Sequence, residues 1–326
     1  MAKHALVFPG QGAQAVGMGR DLYDRCLAAR IIFAEANEAL GFDLAELCFS
    51  GPAEALRETA NAQPALLTIG IAALAALRER IGERLAPVVA AGHSLGEFGA
   101  LVAAGAISFG DGLRLVRERG RLMQAVTATT PGAMIAVLGL DEARLLEICA
   151  QVGRDSALAA TLGRPASVVI ANYNSPGQLV LSGDVAAVEL AGRLAREAGA
   201  RRPVPLAVSG PFHSPLMAEA ATGFLLLLDR TTIGSAVFPV IGNVVAEPMT
   251  KSEEIRRDLG RQLTEPVRWT ETVGLLVGLG VTVCLELGPG TVLAGLIRRT
   301  TDRIETIAVS DAGGLERAEA ALRLAE

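Results

Sequence analysis

Short apolar runs alternate with longer stretches in which apolar residues recur at helical spacing, from Ala5 to about Arg299. Ala5–Phe8 predicts a strand, followed by a loop over Pro9–Gln14 and a helix through Gly19–Leu27. Helical spacing marks Ile31–Leu40 and Pro64–Arg80, the second alanine-rich and expected to be buried. The small and β-branched run Val88–Ala91 predicts another strand, Glu97–Ala104 a helix, and Asp111 to about Val126 an amphipathic helix. The last such unit has Val281–Leu287 as strand, Gly288-Pro289-Gly290 as turn and Thr291–Arg299 as helix. Alternation of this kind implies a mostly parallel sheet with helices on both faces, an α/β fold.

Between Pro131 and about Pro205 the pattern changes. Ala133–Leu138 predicts a strand and Asp141–Val152 a helix, with Asp141 as its N-cap. Ser167–Tyr173 and Gln178–Ser182 predict strands joined by the turn Asn174-Ser175-Pro176-Gly177. Asp184–Ala198 predicts a second helix and Arg201–Val208 a closing strand. The order βαββαβ is that of a ferredoxin-like unit. Residues 132–205 are therefore expected to form a small subdomain inserted into a large α/β domain built from 1–131 and 206–326. Gly153–Pro165 is expected to be a flexible loop.

Composition narrows the function. A chain of 326 residues exceeds what one core usually serves, in line with a large and a small unit. Thirty basic against 35 acidic residues, without a long block of one sign, argue against nucleic acid as a partner. Hydrophobic residues make up 51% of the chain, yet the longest apolar stretches, near 65–77 and 273–285, fall short of the ~18 residues that suggest a membrane span. The first residues lack the features of a signal peptide. Cys26, Cys48, Cys149 and Cys284 are scattered, without metal-like spacing. They are expected to be reduced thiols of a cytoplasmic protein that binds no metal.

Between the second strand and its helix stands Gly92-His93-Ser94-Leu95-Gly96, a G-x-S-x-G nucleophile elbow. In that turn the serine hydroxyl is exposed, and the flanking glycines are required because a Cβ would collide with the neighbouring strand or helix. Serine needs a base to take its proton. Of the three histidines, His4 opens the first strand, where a surface or edge position is expected. His93 adjoins Ser94, and side chains diverge on a tight elbow, so it is expected to pack or hydrogen bond elsewhere. His213 remains, in a turn-rich segment that follows the apolar run Val204–Val208.

The loop Phe8-Pro9-Gly10-Gln11-Gly12 lacks the lysine of a Walker A motif, and Ala15 stands where a dinucleotide loop would need glycine. It is either a plain tight turn or the source of an N–H that completes an oxyanion hole with the N–H of Leu95. Arg119 is the least expected residue in its helix: Leu115, Val116, Leu122, Met123 and Val126 share its face. A guanidinium aimed inward needs an acceptor. An internal carboxylate would serve, and so would the carboxylate of a substrate.

Phe8-Pro9-Gly10-Gln11-Gly12, the segment Gly92 to Phe98, Arg119-Gly120, the segment Asn172 to Gln178, Gly210-Pro211-Phe212-His213-Ser214, Arg261-Gln262-Leu263 and Glu286-Leu287-Gly288-Pro289-Gly290 occur in that order. Together, over about residues 4–300, they resemble the malonyl-CoA:acyl carrier protein transacylases of type II fatty acid synthesis. The resemblance implies an α/β-hydrolase-like domain carrying a ferredoxin-like insert. It implies transfer of malonyl from a coenzyme A thioester to the phosphopantetheine thiol of acyl carrier protein, through a malonyl-serine ester and without a bound cofactor. It makes Ser94 the nucleophile, His213 the base, and the N–H groups of Gln11 and Leu95 the oxyanion hole. Arg119 would clamp the malonyl carboxylate, Gln262 would help position the histidine, and Phe212 and Met123 would line the acyl pocket. Phe98 stands where tyrosine is frequent in that family, and Gly153–Pro165 is longer than usual. Arg201-Arg202 and Arg298-Arg299 correspond to basic positions suited to an acidic carrier protein, and a monomer is implied.

Two other classes share parts of this pattern. A serine thioesterase would need an acid such as Asp111, Asp141 or Asp184 to orient His213. A carrier-binding module with a degenerate site would not label with malonyl-CoA.

Overall fold

The computed structural model describes residues 3–201, 203–208 and 210–323. Arg202 and Ser209 lie outside the described residues. The strands are β1 (Lys3–Phe8), β2 (Val89–Gly92), β3 (Gly132–Leu138), β4 (Val168–Ser175), β5 (Gln178–Asp184), β6 (Val204–Pro205), β7 (Val240–Ile241), β8 (Pro248–Met249), β9 (Val281–Leu287) and β10 (Glu305–Val309).

The larger sheet has the order β10-β9-β1-β2-β7-β8, parallel throughout except for the β7–β8 pair. β1 lies in its middle, Ala5 pairing with Val89 on one side and Cys284 on the other. Both faces of such a strand are covered, which is why β1 reads as an unbroken apolar run. It also corrects the expectation for His4: the side chain is buried, because the strand it sits on is central rather than at an edge.

Thr59–Ile81 is long and apolar enough by length and composition to cross a membrane, a property that the sequence pattern, split at Pro64, does not reveal. Its most apolar stretch is 83% buried inside the protein, where it packs against the helices Leu27–Leu40 and Phe109–Thr129. Its apolar surface is thus already covered by protein.

The smaller sheet is antiparallel, in the order β4-β5-β3-β6. Helices Glu142–Gly153 and Val185–Glu197 cover it with a separate apolar cluster that includes Val137, Leu145, Ile148, Leu181 and Ala191. In chain order its elements run βαββαβ, the ferredoxin-like arrangement expected. Asp141 caps its helix, accepting from the Arg144 N–H at 2.8 Å.

Three local expectations are corrected. Gly153–Pro165 is not an unstructured loop: Ser156–Leu162 is a helix, and Gly163 ends it in the left-handed region at φ 66°. Asp155 nucleates that helix by accepting from the Leu158 N–H at 2.9 Å. The closing strand shrinks from Arg201–Val208 to Val204–Pro205. The first helix is broken at Cys26, whose extended backbone separates Arg20–Arg25 from Leu27–Leu40. Replacing Asp155 with Ala is predicted to lower unfolding stability by about 1 kcal/mol, the usual worth of an N-cap. A urea titration that finds no change would contradict the capped helix.

Candidate active site

Ser94 stands between β2 and the helix Gly96–Ala103, with φ 51°, a conformation that non-glycine residues rarely adopt. The strain is held by close approach on both sides. A Cβ on Gly92 would run into the backbone of Gly96, and one on Gly96 would run into the carbonyl of Phe8. The glycine-rich first loop presses against the same turn: a Cβ on Gly10 would lie 2.6 Å from the His93 carbonyl oxygen. Asn243, which follows β7, ties the elbow down from the other side. Its Oδ1 accepts from the Ser94 N–H at 2.6 Å, and its Nδ2 donates to the Gly92 carbonyl at 2.7 Å.

The structure brings His213 to this serine. Its Nε2 lies 2.7 Å from Ser94 Oγ. Its Nδ1 lies 2.8 Å from the Gln262 carbonyl and 3.2 Å from that of Glu265. Those carbonyls accept only, so Nδ1 carries the hydrogen and Nε2 is left with a free lone pair toward the hydroxyl. His213 also has positive φ, 55°, so the backbone is bent on both sides of the pair. Burial, and next the Arg119 cation, push the imidazole down to about 3, which keeps it neutral at physiological pH.

The acids that a hydrolase-type triad would need lie elsewhere. Asp111 is engaged by Ser108 and Arg114, Asp141 caps its helix, and Asp184 is bound by Arg164 at 2.6 Å. His93 turns away from Ser94, as expected, with Nε2 2.8 Å from Asn174 Oδ1 and its ring tilted against Trp269.

Arg119 points inward from the helix Phe109–Thr129 and is 1% exposed. Among the described residues no carboxylate lies within ion-pair distance of it. Its Nη1 donates to Gln63 Oε1 at 2.9 Å, and its Nη2 to Gln262 Oε1 at 2.9 Å and Ser94 Oγ at 3.1 Å. Among the described residues Nε has no partner, and the group lies over the Phe98 ring. Burial lowers it to about 10, which still leaves a full cation at neutral pH.

Gln262 therefore does more than offer its carbonyl to the histidine. Its Nε2 donates to Glu97 Oε2 at 2.6 Å and to the Ser94 carbonyl at 3.2 Å, which turns its Oε1 toward Arg119. Met123, one helical turn beyond Arg119, accepts at sulfur from Gln63 Nε2 at 3.4 Å.

Ser94, Leu95, Gln11, Arg119, Met123 and Phe212 all line one cavity of about 270 Å³, closed on its far side by residues of β4 and β5. Gln262 lies behind Arg119 rather than on the cavity wall. Gln63, Glu97 and Asn243 are the site residues that the sequence reading missed. Two of them carry a signal: Gln63 is a polar residue directly before the apolar run Pro64–Leu67, and Glu97 is the only charged residue of its helix. Asn243 sits in a short loop without periodicity and offered none.

The chain is similar along most of its length to known proteins. Residues 5–323 match the acyl transferase domain family. A malonyl CoA-acyl carrier protein transacylase of Bacillus subtilis is 46% identical over 316 residues, covering 97% of this chain and 96% of the relative. The solved malonyl CoA-acyl carrier protein transacylase of Coxiella burnetii is 37% identical, with a TM-score of 0.92 and 98% of each chain covered. A malonyl-transacylase solved in complex with its type II PKS acyl-carrier protein is 42% identical, with a TM-score of 0.91, covering 97% of this chain and 99% of that one. By sequence along nearly its whole length and by fold, the chain belongs to the acyl transferase domain family.

Proposed function

We propose that the protein transfers malonyl from coenzyme A to the phosphopantetheine thiol of an acyl carrier protein through an ester on Ser94. The observation that carries this reading is Arg119: a buried cation with no carboxylate within ion-pair distance among the described residues, bonded to the hydroxyl that His213 also meets. Transacylases of this name at 46% identity, and a relative solved with its acyl-carrier protein, support the same substrate and partner.

In the first half-reaction Ser94 Oγ attacks the thioester carbonyl and its proton passes to His213 Nε2. Charge developing on the carbonyl oxygen is met by the N–H groups of Leu95 and Gln11, where a lost donor typically costs ~3–4 kcal/mol of transition-state stabilisation. Leu95 N–H also stands at the N-terminus of the helix Gly96–Ala103, whose dipole favours an anion there. The tetrahedral adduct collapses, the C–S bond breaks, and the histidine returns its proton to the departing coenzyme A sulfur. In the second half-reaction the carrier thiol gives its proton to His213 and attacks the ester, and Ser94 is regenerated. The thioester already carries an activated acyl group, so the sequence needs no resident cofactor.

Throughout, Arg119 holds the free carboxylate of the malonyl group as a bidentate pair, from Nε and from the Nη2 hydrogen that Ser94 Oγ gives up, while the bond to Gln262 is kept. That binding has a second effect. An anion on Arg119 cancels the charge that helps hold His213 down, so the malonyl substrate itself raises the basicity of the imidazole that will act on it. Phe212 narrows the acyl pocket beside the base, and Met123 fills the other side. Residues 132–205 act as the inserted lid of this pocket, contributing Asn172, Asn174, Gln178 and Val180. At its mouth Arg299 is exposed and donates to Gln178 Oε1 at 3.0 Å, and Arg298 is exposed beside it, a basic edge suited to an acidic carrier. Monomeric action in the cytoplasm completes the proposal.

Incubation with malonyl-CoA is expected to add one malonyl mass to the intact protein, and Ser94→Ala to abolish the adduct. Rapid release of free malonate with no adduct would favour the thioesterase reading, and no reaction at all the degenerate module. Arg119→Ala is expected to lower malonyl transfer by roughly 100- to 1,000-fold, the worth of a desolvated charge-assisted pair, while acetyl transfer rises relative to it. Equal losses for both acyl groups would remove the clamp.

The histidine also imposes a pH dependence on stability. Its folded value lies below its unfolded value of 6.5, so below pH 6.5 the unfolded chain binds a proton that the folded chain refuses. Stability should fall by up to about 1.4 kcal/mol per pH unit on going from pH 6.5 toward 4. His213→Ala should lack that part of the slope, and urea titrations at pH 7, 6 and 5 on both proteins check it.

A further inference from the structure

Beneath the elbow lie two buried carboxyl groups that the proposed chemistry does not use. Glu97, at the start of the helix Gly96–Ala103, is fully buried, and Asp258, on the helix Ser252–Arg261, is 1% exposed. Glu97 Oε2 accepts from Gln262 Nε2 at 2.6 Å and from the Asn243 N–H at 3.3 Å. Among the described residues its Oε1 meets no donor, and the successive N–H groups of Asn243, Val244 and Val245 go one to Glu97 and two to Asp258, which places the two carboxyl groups side by side. Two ionised carboxylates would repel in that position, so one proton must lie between them.

We propose that Glu97 is a positioning residue that works as a neutral acid, donating from Oε1 to the Asp258 carboxylate while its Oε2 fixes the orientation of the Gln262 amide and hence of Arg119. The proton belongs on Glu97 because both Asp258 oxygens already accept an N–H, whereas the two donors to Glu97 share Oε2 and leave Oε1 without one. The Asp258 oxygens accept the backbone N–H groups of Val245 at 3.1 Å and Val244 at 3.4 Å, donors that favour the charged form. A proton on Oε1 also removes the unpartnered buried atom. Burial pushes both carboxyl groups upward, and Glu97, which the neighbouring Asp258 raises further, goes well above the usual carboxylate range.

The consequence reaches the substrate site. With an acceptor at residue 97, Gln262 must point its Nε2 there and its Oε1 at Arg119. With that acceptor neutral, the nearest acidic side chain does not neutralise the guanidinium, which stays available for an anion from outside. The single negative charge is held one residue further back, on Asp258.

Glu97→Gln reproduces this arrangement atom for atom, with an amide oxygen in place of Oε2 and an amide N–H in place of the acid proton. It is expected to keep KM for malonyl-CoA and the malonyl-over-acetyl preference within about twofold of the parent. Glu97→Met, similar in size but without donor or acceptor, is expected to raise KM about tenfold and to narrow that preference, the scale of one lost buried hydrogen bond. Infrared spectra of the substrate-free protein at neutral pH should show the carbonyl stretch of a protonated carboxylic acid that disappears in Glu97→Gln. The absence of such a band, a Glu97→Gln protein that does not fold, or one as impaired as Glu97→Met would each overturn the assignment. Should Glu97→Met not fold, the band and the Gln variant still decide. Only the kinetic arm rests on the malonyl-transfer reading, so a failure of that reading is told apart by the spectrum.

Discussion

Removing a guanidinium from water is costly, and most proteins recover part of that cost by placing a carboxylate against it. Here Arg119 is buried against two glutamine oxygens, a serine hydroxyl and an aromatic face. Neutral acceptors hold the position of the group but leave its charge unbalanced. Much of the surrounding structure follows from keeping it so. Gln63 and Gln262 come from helical and loop segments nearly 200 residues apart in the chain, and both are themselves fixed by further contacts, to Met123 and Glu97. The same unbalanced charge lowers the basicity of His213, so the two groups that would meet the substrate are electrostatically opposed until an anion arrives. Under the malonyl-transfer proposal that opposition favours a substrate with a free carboxylate over one without.

The elbow contributes a different kind of constraint. Positive φ at both Ser94 and His213 stores local strain at the two residues whose side chains face one another. The strain persists because neighbours over-determine it: glycines that admit no Cβ on either side of the serine, and Asn243 bonded to both Ser94 and Gly92. The histidine is oriented without an acid. Two backbone carbonyls fix its tautomer, and because they carry no full charge they add less basicity than a carboxylate would. For a thioester, an easier substrate than an amide, such a dyad is a reasonable balance.

How much of this could be read from residues alone depended on whether the signal was local. The elbow was legible because its glycines, its strand and its helix all lie within a few residues. The βαββαβ order was legible because each strand and helix carried its own period. Arg119 stood out as a charge in the middle of an apolar helix face. The same test, applied to Ser252–Arg261, would have found Asp258 and Gln262 on the face of Ile255 and Leu259, but the density of charge in that helix hid it. Gln63 is hidden for a conformational reason: proline is favoured at the first position of a helix, so the pattern predicts a start at Pro64. The helix in fact begins at Thr59, which places Gln63 inside it and facing Arg119. His4 was misplaced because strand order in a parallel sheet is set by crossovers that no local pattern reports.

Glu97 joins these threads. A charged residue in an otherwise apolar eight-residue helix, directly behind a nucleophile, reads most simply as a counter-ion to Arg119. Geometry points the other way. Gln262 stands between the two groups and can satisfy both only if residue 97 accepts and Arg119 donates, a requirement that holds whether or not residue 97 is charged. What decides the charge is Asp258, both of whose oxygens already draw backbone N–H donors and which lies beside the Glu97 oxygen that has none. A second carboxylate behind the first thus converts a would-be counter-ion into a neutral hydrogen-bonding post. The cation in front of it is left to be completed by whatever enters the cavity.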